Sequence, residues 1–190
     1  MNTPPLIVGI GGTTRDGSTS ELALTAALTR AASMGCETLA FHGPDLPSDV
    51  YDPARAGRSE AAQALVDAIR RADGIIISTP SYHGGVSGLI KNALDYVEDL
   101  VNDERVYLDN RAVGCIVCAY GAQAMGTTLT SLRSIVHALR GWPTPYGATI
   151  MARGGVFGGP GQEADPESVE ACRLVAEQVV RFAHLVRASA

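Results

Sequence analysis

Basic side chains are scarce and nearly all of one kind. Of 15 lysines and arginines, only Lys91 is a lysine. Against 20 acidic side chains they leave a formal charge of −5, which argues against a nucleic-acid backbone as the main partner. The single lysine also excludes a Walker A loop, because no Gly-Lys-Ser/Thr can be written. Long apolar runs are missing too. None approaches the roughly 20 residues that span a bilayer, so no membrane partner is expected. Met1-Asn2-Thr3-Pro4-Pro5 lacks a basic stretch followed by an apolar one, and no signal peptide is expected. What remains is 46% hydrophobic and 18% charged, enough for a substantial core. The expectation is one domain over residues 1–190 of a soluble, cytoplasmic protein.

Cysteine is limited to Cys36, Cys115, Cys118 and Cys172, too few and too scattered for a disulfide framework. Cys115 and Cys118 spell C-x-x-C, but within the apolar run Val113–Ala119, which reads as a strand. Positions three apart on a strand face opposite ways, so buried, separate thiols are expected. No second pair completes a tetrahedral zinc site, and histidines 42, 83, 137 and 184 show no ligand spacing.

Short apolar runs alternate with helical patterns along the whole chain. Leu6–Ile10 is apolar without alternation, as in a strand buried on both faces. Further strands are predicted over Glu37–Phe41, Gly74–Ser78, about 112–119 and about 146–152. The helices between them begin at Ser18, Ser59 and Ser87, each suited to an N-cap, and two more follow the fourth and fifth strands. The third carries apolar positions on more than one side (Leu89, Ile90, Ala93, Leu94, Val97, Leu100, Val101) and is predicted to reach Val101. This pattern predicts an α/β fold, a flavodoxin-like three-layer sandwich. Its five-stranded parallel sheet would run in the order 2-1-3-4-5, with helices on both faces. The glycine-rich segment 153–166 is predicted to be a mobile surface connection, or alternatively a flap over a ligand.

In such a sheet, ligands bind beyond the carboxyl ends of the strands. The loop after the first strand, Gly11 to Ser20, joins glycines and hydroxyls to Arg15 and a helix start, which suits a phosphate. Ser18 to Glu21 also matches a capping box, with Glu21 reaching back to the cap. The dinucleotide fingerprint is incomplete: Gly9-Ile10-Gly11-Gly12-Thr13-Thr14 lacks the third glycine, and the acidic residue about 20 positions on is missing. The loop after the third strand, Thr79 to Gly88, offers Pro80, Tyr82 and paired glycines to a planar ligand. The loop Tyr120 to Gly126 has similar small residues.

Together these loops resemble the NADPH-dependent FMN reductase family of the flavodoxin-like superfamily, which includes the flavin reductases of two-component monooxygenases. Gly12-Thr13-Thr14-Arg15-Asp16-Gly17-Ser18 is similar to its G-S-x-R-x-x-S loop, with threonine for the first serine. Pro80 through Asp95 is similar to P-x-Y-N-x-x-x-x-G-x-L/I-K-N-x-L/I-D, with His83 where asparagine is usual and Ser81 where glutamate is common. The resemblance implies FMN as cofactor and NADPH or NADH as co-substrate. It implies a phosphate site of Thr13, Arg15, Ser18, Thr19 and Ser20. Pro80, Ser81, Tyr82, His83 and Gly84 would line the flavin ring, with Gly121, Gln123 and Met125 nearby. Lys91, Asn92 and Asp95 are given a structural role.

The function so implied is an FMN-dependent NAD(P)H oxidoreductase that reduces a second acceptor, such as free flavin or a quinone, or serves a partner monooxygenase. No catalytic side chain is required, because the flavin carries the chemistry. The alternative is a flavodoxin-type FMN electron carrier that does not oxidise NAD(P)H. The resemblance and the apolar third helix together imply a homodimer or homotetramer.

Overall fold

The computed structural model of the chain describes residues 3–189. Its centre is a parallel sheet of β1 (Leu6–Gly11), β2 (Glu37–His42), β3 (Gly74–Tyr82) and β5 (Ala112–Ala119), in the order β2-β1-β3-β5. Every residue of β1 and β5 is buried, as continuous apolar runs require. The order matches the flavodoxin-like 2-1-3-4-5 path, but the sheet has seven strands rather than the expected five. Two departures account for this. The fifth strand is split into β6 (Trp142–Pro143) and β7 (Ala148–Met151), both paired with β5. Pro143 and Pro145 lack N–H groups to donate, so the ladder is interrupted between the two pieces. In addition, β4 (Gly85–Val86) folds back antiparallel on the end of β3.

The helices are α1 (Thr19–Ser33), α2 (Glu60–Arg71), α3 (Gly88–Asp95), α4 (Ala122–Ala138) and α5 (Pro166–Ser189). The first three start as expected: Ser18, Ser59 and Ser87 each accept the N–H three residues on, at 3.3, 3.4 and 3.3 Å. One core lies between the sheet and α2, α3 and α4, and the other between the sheet and α1 and α5. Cys115 belongs to the first and Cys118 to the second, so the two thiols lie on opposite faces of the sheet. Burial pushes both up to about 12. Among the described residues, no helix is long and apolar enough to cross a membrane.

Two expectations need correction. The third helix does not continue to Val101. It ends at Asp95 and tightens into a 3-10 segment, Tyr96–Leu100. Each residue then advances about 120° instead of about 100°, which turns Val97 and Leu100 inward. Of the seven apolar positions, Ile90, Ala93, Leu94, Val97 and Leu100 are buried within this chain, Leu89 is half-buried against the same core, and Val101 is exposed. The glycine-rich segment, expected as a surface connection or a flap, is more regular than a plain loop. It contains an antiparallel hairpin of β8 (Phe157–Gly159) and β9 (Gln162–Ala164). Arg153 pairs with Asp165 at 3.1 Å across its base, and Val156 is buried in the core beneath it.

Candidate functional site

Side-chain alternation decides what the loops can offer. Along β3, Ile76 faces α1 and α5, whereas Ile75 and Ile77 face the other layer. Ser78 follows Ile76, and its hydroxyl donates to the Ser20 carbonyl of α1 at 2.7 Å. Ser81 faces the opposite way, with its hydroxyl 2.6 Å from that of Thr128 in α4. Gly9 and Gly11 of β1 lie under α1. A Cβ at Gly11 would come within 2.7 Å of the Ser78 carbonyl oxygen. Helix α1 therefore starts close against the carboxyl edge of β1 and β3.

A cleft of about 340 Å³ opens there. One wall is Thr13, Thr14, Arg15, Ser18, Thr19 and Ser20. The other comprises Pro80, Ser81 and Tyr82 with Cys118 to Tyr120, and Ala152 completes the lining. The first wall is a turn fixed by its own side chains. Thr13 Oγ1 accepts the Arg15 N–H at 3.1 Å, and Gly12 adopts the left-handed φ of 82° that starts the turn. Ser18 and Ser20 are buried, with their hydroxyls 3.5 Å apart. The Ser18 oxygen accepts the Glu21 N–H, which leaves its proton for another partner. The first N–H groups of α1 have no intrahelical acceptor by helix geometry. Among the described residues, the Arg15 guanidinium makes neither a hydrogen bond nor an ion pair. The expected capping box is altered. Glu21 accepts the N–H of Gly17 at 2.9 Å, one residue before the cap.

Eight of the residues singled out from the sequence line this cleft: Thr13, Arg15, Ser18, Thr19, Ser20, Pro80, Ser81 and Tyr82. Five lie outside its lining. His83 and Gly84, with φ of 53° and 78°, form the two-residue turn between Tyr82 and Gly85. Two successive positive φ values define a type I′ hairpin. Gly121 is the N-cap of α4. Gln123 is exposed in its first turn, and Met125 is buried. Thr14 and Tyr120 lie in loops singled out from the sequence but were not themselves assigned to a ligand. Cys118, Ala119 and Ala152 were not singled out for the site. All five line the cleft. For Tyr120 a signal existed: an aromatic ring directly after a buried strand has no core to enter, and it is 85% exposed.

Asn92, from the second motif, lies away from the cleft. Its side-chain amide donates to the carbonyls of Pro47 and Asp49 at 3.0 and 2.8 Å, and its oxygen accepts the Tyr51 N–H at 2.9 Å. Lys91 and Asp95 form an exposed pair one helical turn apart. None of the three lines the cleft.

Known proteins resemble this chain in sequence and in fold. The chain is 34% identical over 120 residues to an FMN-dependent NADPH-azoreductase of Staphylococcus haemolyticus, covering 55% of this chain and 60% of that one. It is 26% identical over 170 residues to an FMN reductase (NADPH) of Pseudomonas putida, covering 90% and 79%. The chain thus spans less than two thirds of the azoreductase. The solved structure of RosB with a bound 8-demethyl-8-formylriboflavin-5′-phosphate intermediate superposes with a TM-score of 0.76 at 16% identity. That match covers 98% of this chain and 81% of RosB, and shows a shared fold. The sequence model of the NADPH-dependent FMN reductases matches residues 5–155, and the chain belongs to that family.

Proposed function

We propose that the chain is an FMN-dependent NAD(P)H oxidoreductase, a flavin reductase or azoreductase in type. The observation that carries this reading is the first wall of the cleft, where an unpaired arginine, hydroxyls and a helix start converge beside an apolar and aromatic wall. The residues fit FMN in both size and chemistry. Ligand clefts run from about 300 to 1,000 Å³, and this one is about 340 Å³. Helix N–H groups and a guanidinium suit a phosphate dianion. No acidic side chain lines the cleft to oppose it.

Thr13, Arg15, Ser18, Thr19 and Ser20 would hold the phosphate. Pro80, the Ser81 backbone and Tyr82 would border the ring, with Tyr120 across from them. His83, Gly84, Gly121, Gln123 and Met125 would act from around the cleft, by shaping the hairpin and the start of α4. When bound, FMN supplies the redox chemistry, taking two electrons from NADPH or NADH and passing them to a second acceptor. The protein's part is to bind, orient and exclude water, and no side chain need act as acid or base. Acceptors of the free-flavin, quinone or azo class, or a partner monooxygenase, fit the reading, with a cytoplasmic location and a homodimer or homotetramer.

Anaerobic mixing of the FMN-loaded protein with NADH and NADPH tests it. Rapid bleaching of the flavin absorbance is the expected result, followed by turnover with an acceptor panel. FMN binding without bleaching by either nucleotide would instead make the chain an electron carrier of the flavodoxin type.

A further inference from the structure

A carboxylate stands directly behind the phosphate loop, and the proposed function gives it nothing to do. Glu21 Oε2 accepts the N–H of Gly17 at 2.9 Å, and Oε1 lies 3.7 Å from His42 Nδ1. Its side chain is only 18% exposed. The loop backbone sits close over its stem: a Cβ added at Gly12 would meet the Cβ atoms of Glu21 and His42 at 3.3 and 3.4 Å. In an ordinary capping box a glutamate here would accept the N–H of the cap residue. Here it reaches one residue further, and among the described residues nothing accepts from the Ser18 N–H. One side chain therefore braces the loop from behind and leaves the N–H groups at the helix start free. The other titratable or charged groups of these segments are Arg15 and Asp16 in the loop, His42 at the end of β2 and Asp45 in the 3-10 turn Gly43–Asp45 that follows. Asp45 accepts the His42 N–H at 3.4 Å.

We propose that Glu21 is a positioning residue that holds the phosphate loop in its binding shape while its charge opposes the dianion, so that FMN is bound in order but released readily. This rests on the phosphate reading of the loop. The two effects have opposite signs and can be separated. Glutamine keeps an oxygen for the Gly17 N–H and removes the charge, whereas alanine removes both.

The experiment is a set of FMN and riboflavin titrations, with stopped-flow release of FMN, on wild type, Glu21→Gln and Glu21→Ala. Glu21→Gln should bind FMN about three- to tenfold more tightly and release it more slowly, the size expected of a partly screened charge nearby. That gain should shrink in high salt, which a purely structural change would not do. Glu21→Ala should bind FMN about tenfold less tightly than Glu21→Gln. Riboflavin, having no phosphate, should bind all three alike. If Glu21→Gln binds FMN no more tightly than wild type, or if the two variants match, the proposal is wrong. Should Glu21→Ala fail to fold, the glutamine variant and its salt dependence decide alone. Equal affinity of the wild type for FMN and riboflavin would show, before any variant is made, that the phosphate reading has failed and this proposal with it.

Discussion

Two residues of the site loops carry separable tasks. Arg15 is the positive charge of the cleft lining, and Asp16 beside it would otherwise leave the loop negative. A hydrogen bond to a charged group is worth roughly 1.5–3 kcal/mol, so Arg15→Ala should weaken FMN binding about 10- to 150-fold. Riboflavin titrated in parallel should change far less, and equal weakening of both ligands would remove Arg15 from the phosphate. His83 works on the backbone instead. With φ at 53° it occupies a left-handed position in the hairpin turn, which costs an ordinary residue about 1–2 kcal/mol and which asparagine tolerates better. His83→Asn should therefore stabilise the fold by about 0.5–1 kcal/mol, seen as a rise of about 1–4 °C in thermal unfolding. Arg15 was legible because charge, hydroxyls and glycines cluster within ten residues. The turn at His83 was not, because its partner strand Gly85–Val86 is two residues long and leaves no periodic pattern.

At the scale of elements, two polar side chains, one half-buried and one fully buried, fix segments that propensity leaves loose. Asn92 ties the connection after β2 to α3 through three hydrogen bonds, and the Tyr96 hydroxyl adds a fourth to the Asp49 carbonyl at 3.1 Å. Asn92→Asp keeps the shape but turns a donor into an acceptor facing two carbonyls. A loss of about 1–3 kcal/mol is expected in chemical denaturation. The fully buried Arg111 donates to four carbonyls, those of Arg70, Ala72, Tyr107 and Asp109, and so closes the C-terminal end of α2. Burial pulls its pKa down to about 10, which still leaves it charged at neutral pH. Arg111→Met should cost about 2–3 kcal/mol, lowering the unfolding temperature by about 4–12 °C, because the carbonyls at the helix end lose their donors. A midpoint unchanged within error would mean that water replaces the guanidinium. The helix starts were readable from their serines. These clamps were not, because Asn92 and Arg111 sit 41 or so residues from partners that only the folded sheet brings near.

Across the whole molecule, the strand order was readable because each apolar run is separated by a helix, which forces parallel pairing and a short list of topologies. The split of the last strand follows from two prolines whose effect depends on which side of the strand is paired. The polar link between α1 and α5 was not readable, because it rests on one carboxylate meeting an arginine 147 residues away. Glu177 of α5 lies 2.6 Å from Arg30 of α1, and it also pairs with Arg173 and, at 3.7 Å, with Arg181. Its side chain is 10% exposed, and it joins the first and last helices of the chain. The hydrogen bond from Arg30 is the main cause that holds its pKa below the ordinary 4.5 of a glutamate. A carboxyl with a depressed folded pKa binds protons more readily when unfolded. Its stabilising contribution is thus fully present above about pH 4.5 and is lost as pH falls through the lower, folded value. Denaturation midpoints measured from neutral pH downward should fall for the wild type in that acid range. Glu177→Gln should begin lower at neutral pH and decline less on acidification, since one of the titrating groups is gone. Parallel curves for the two proteins would show that α1 and α5 are held by their apolar contacts alone.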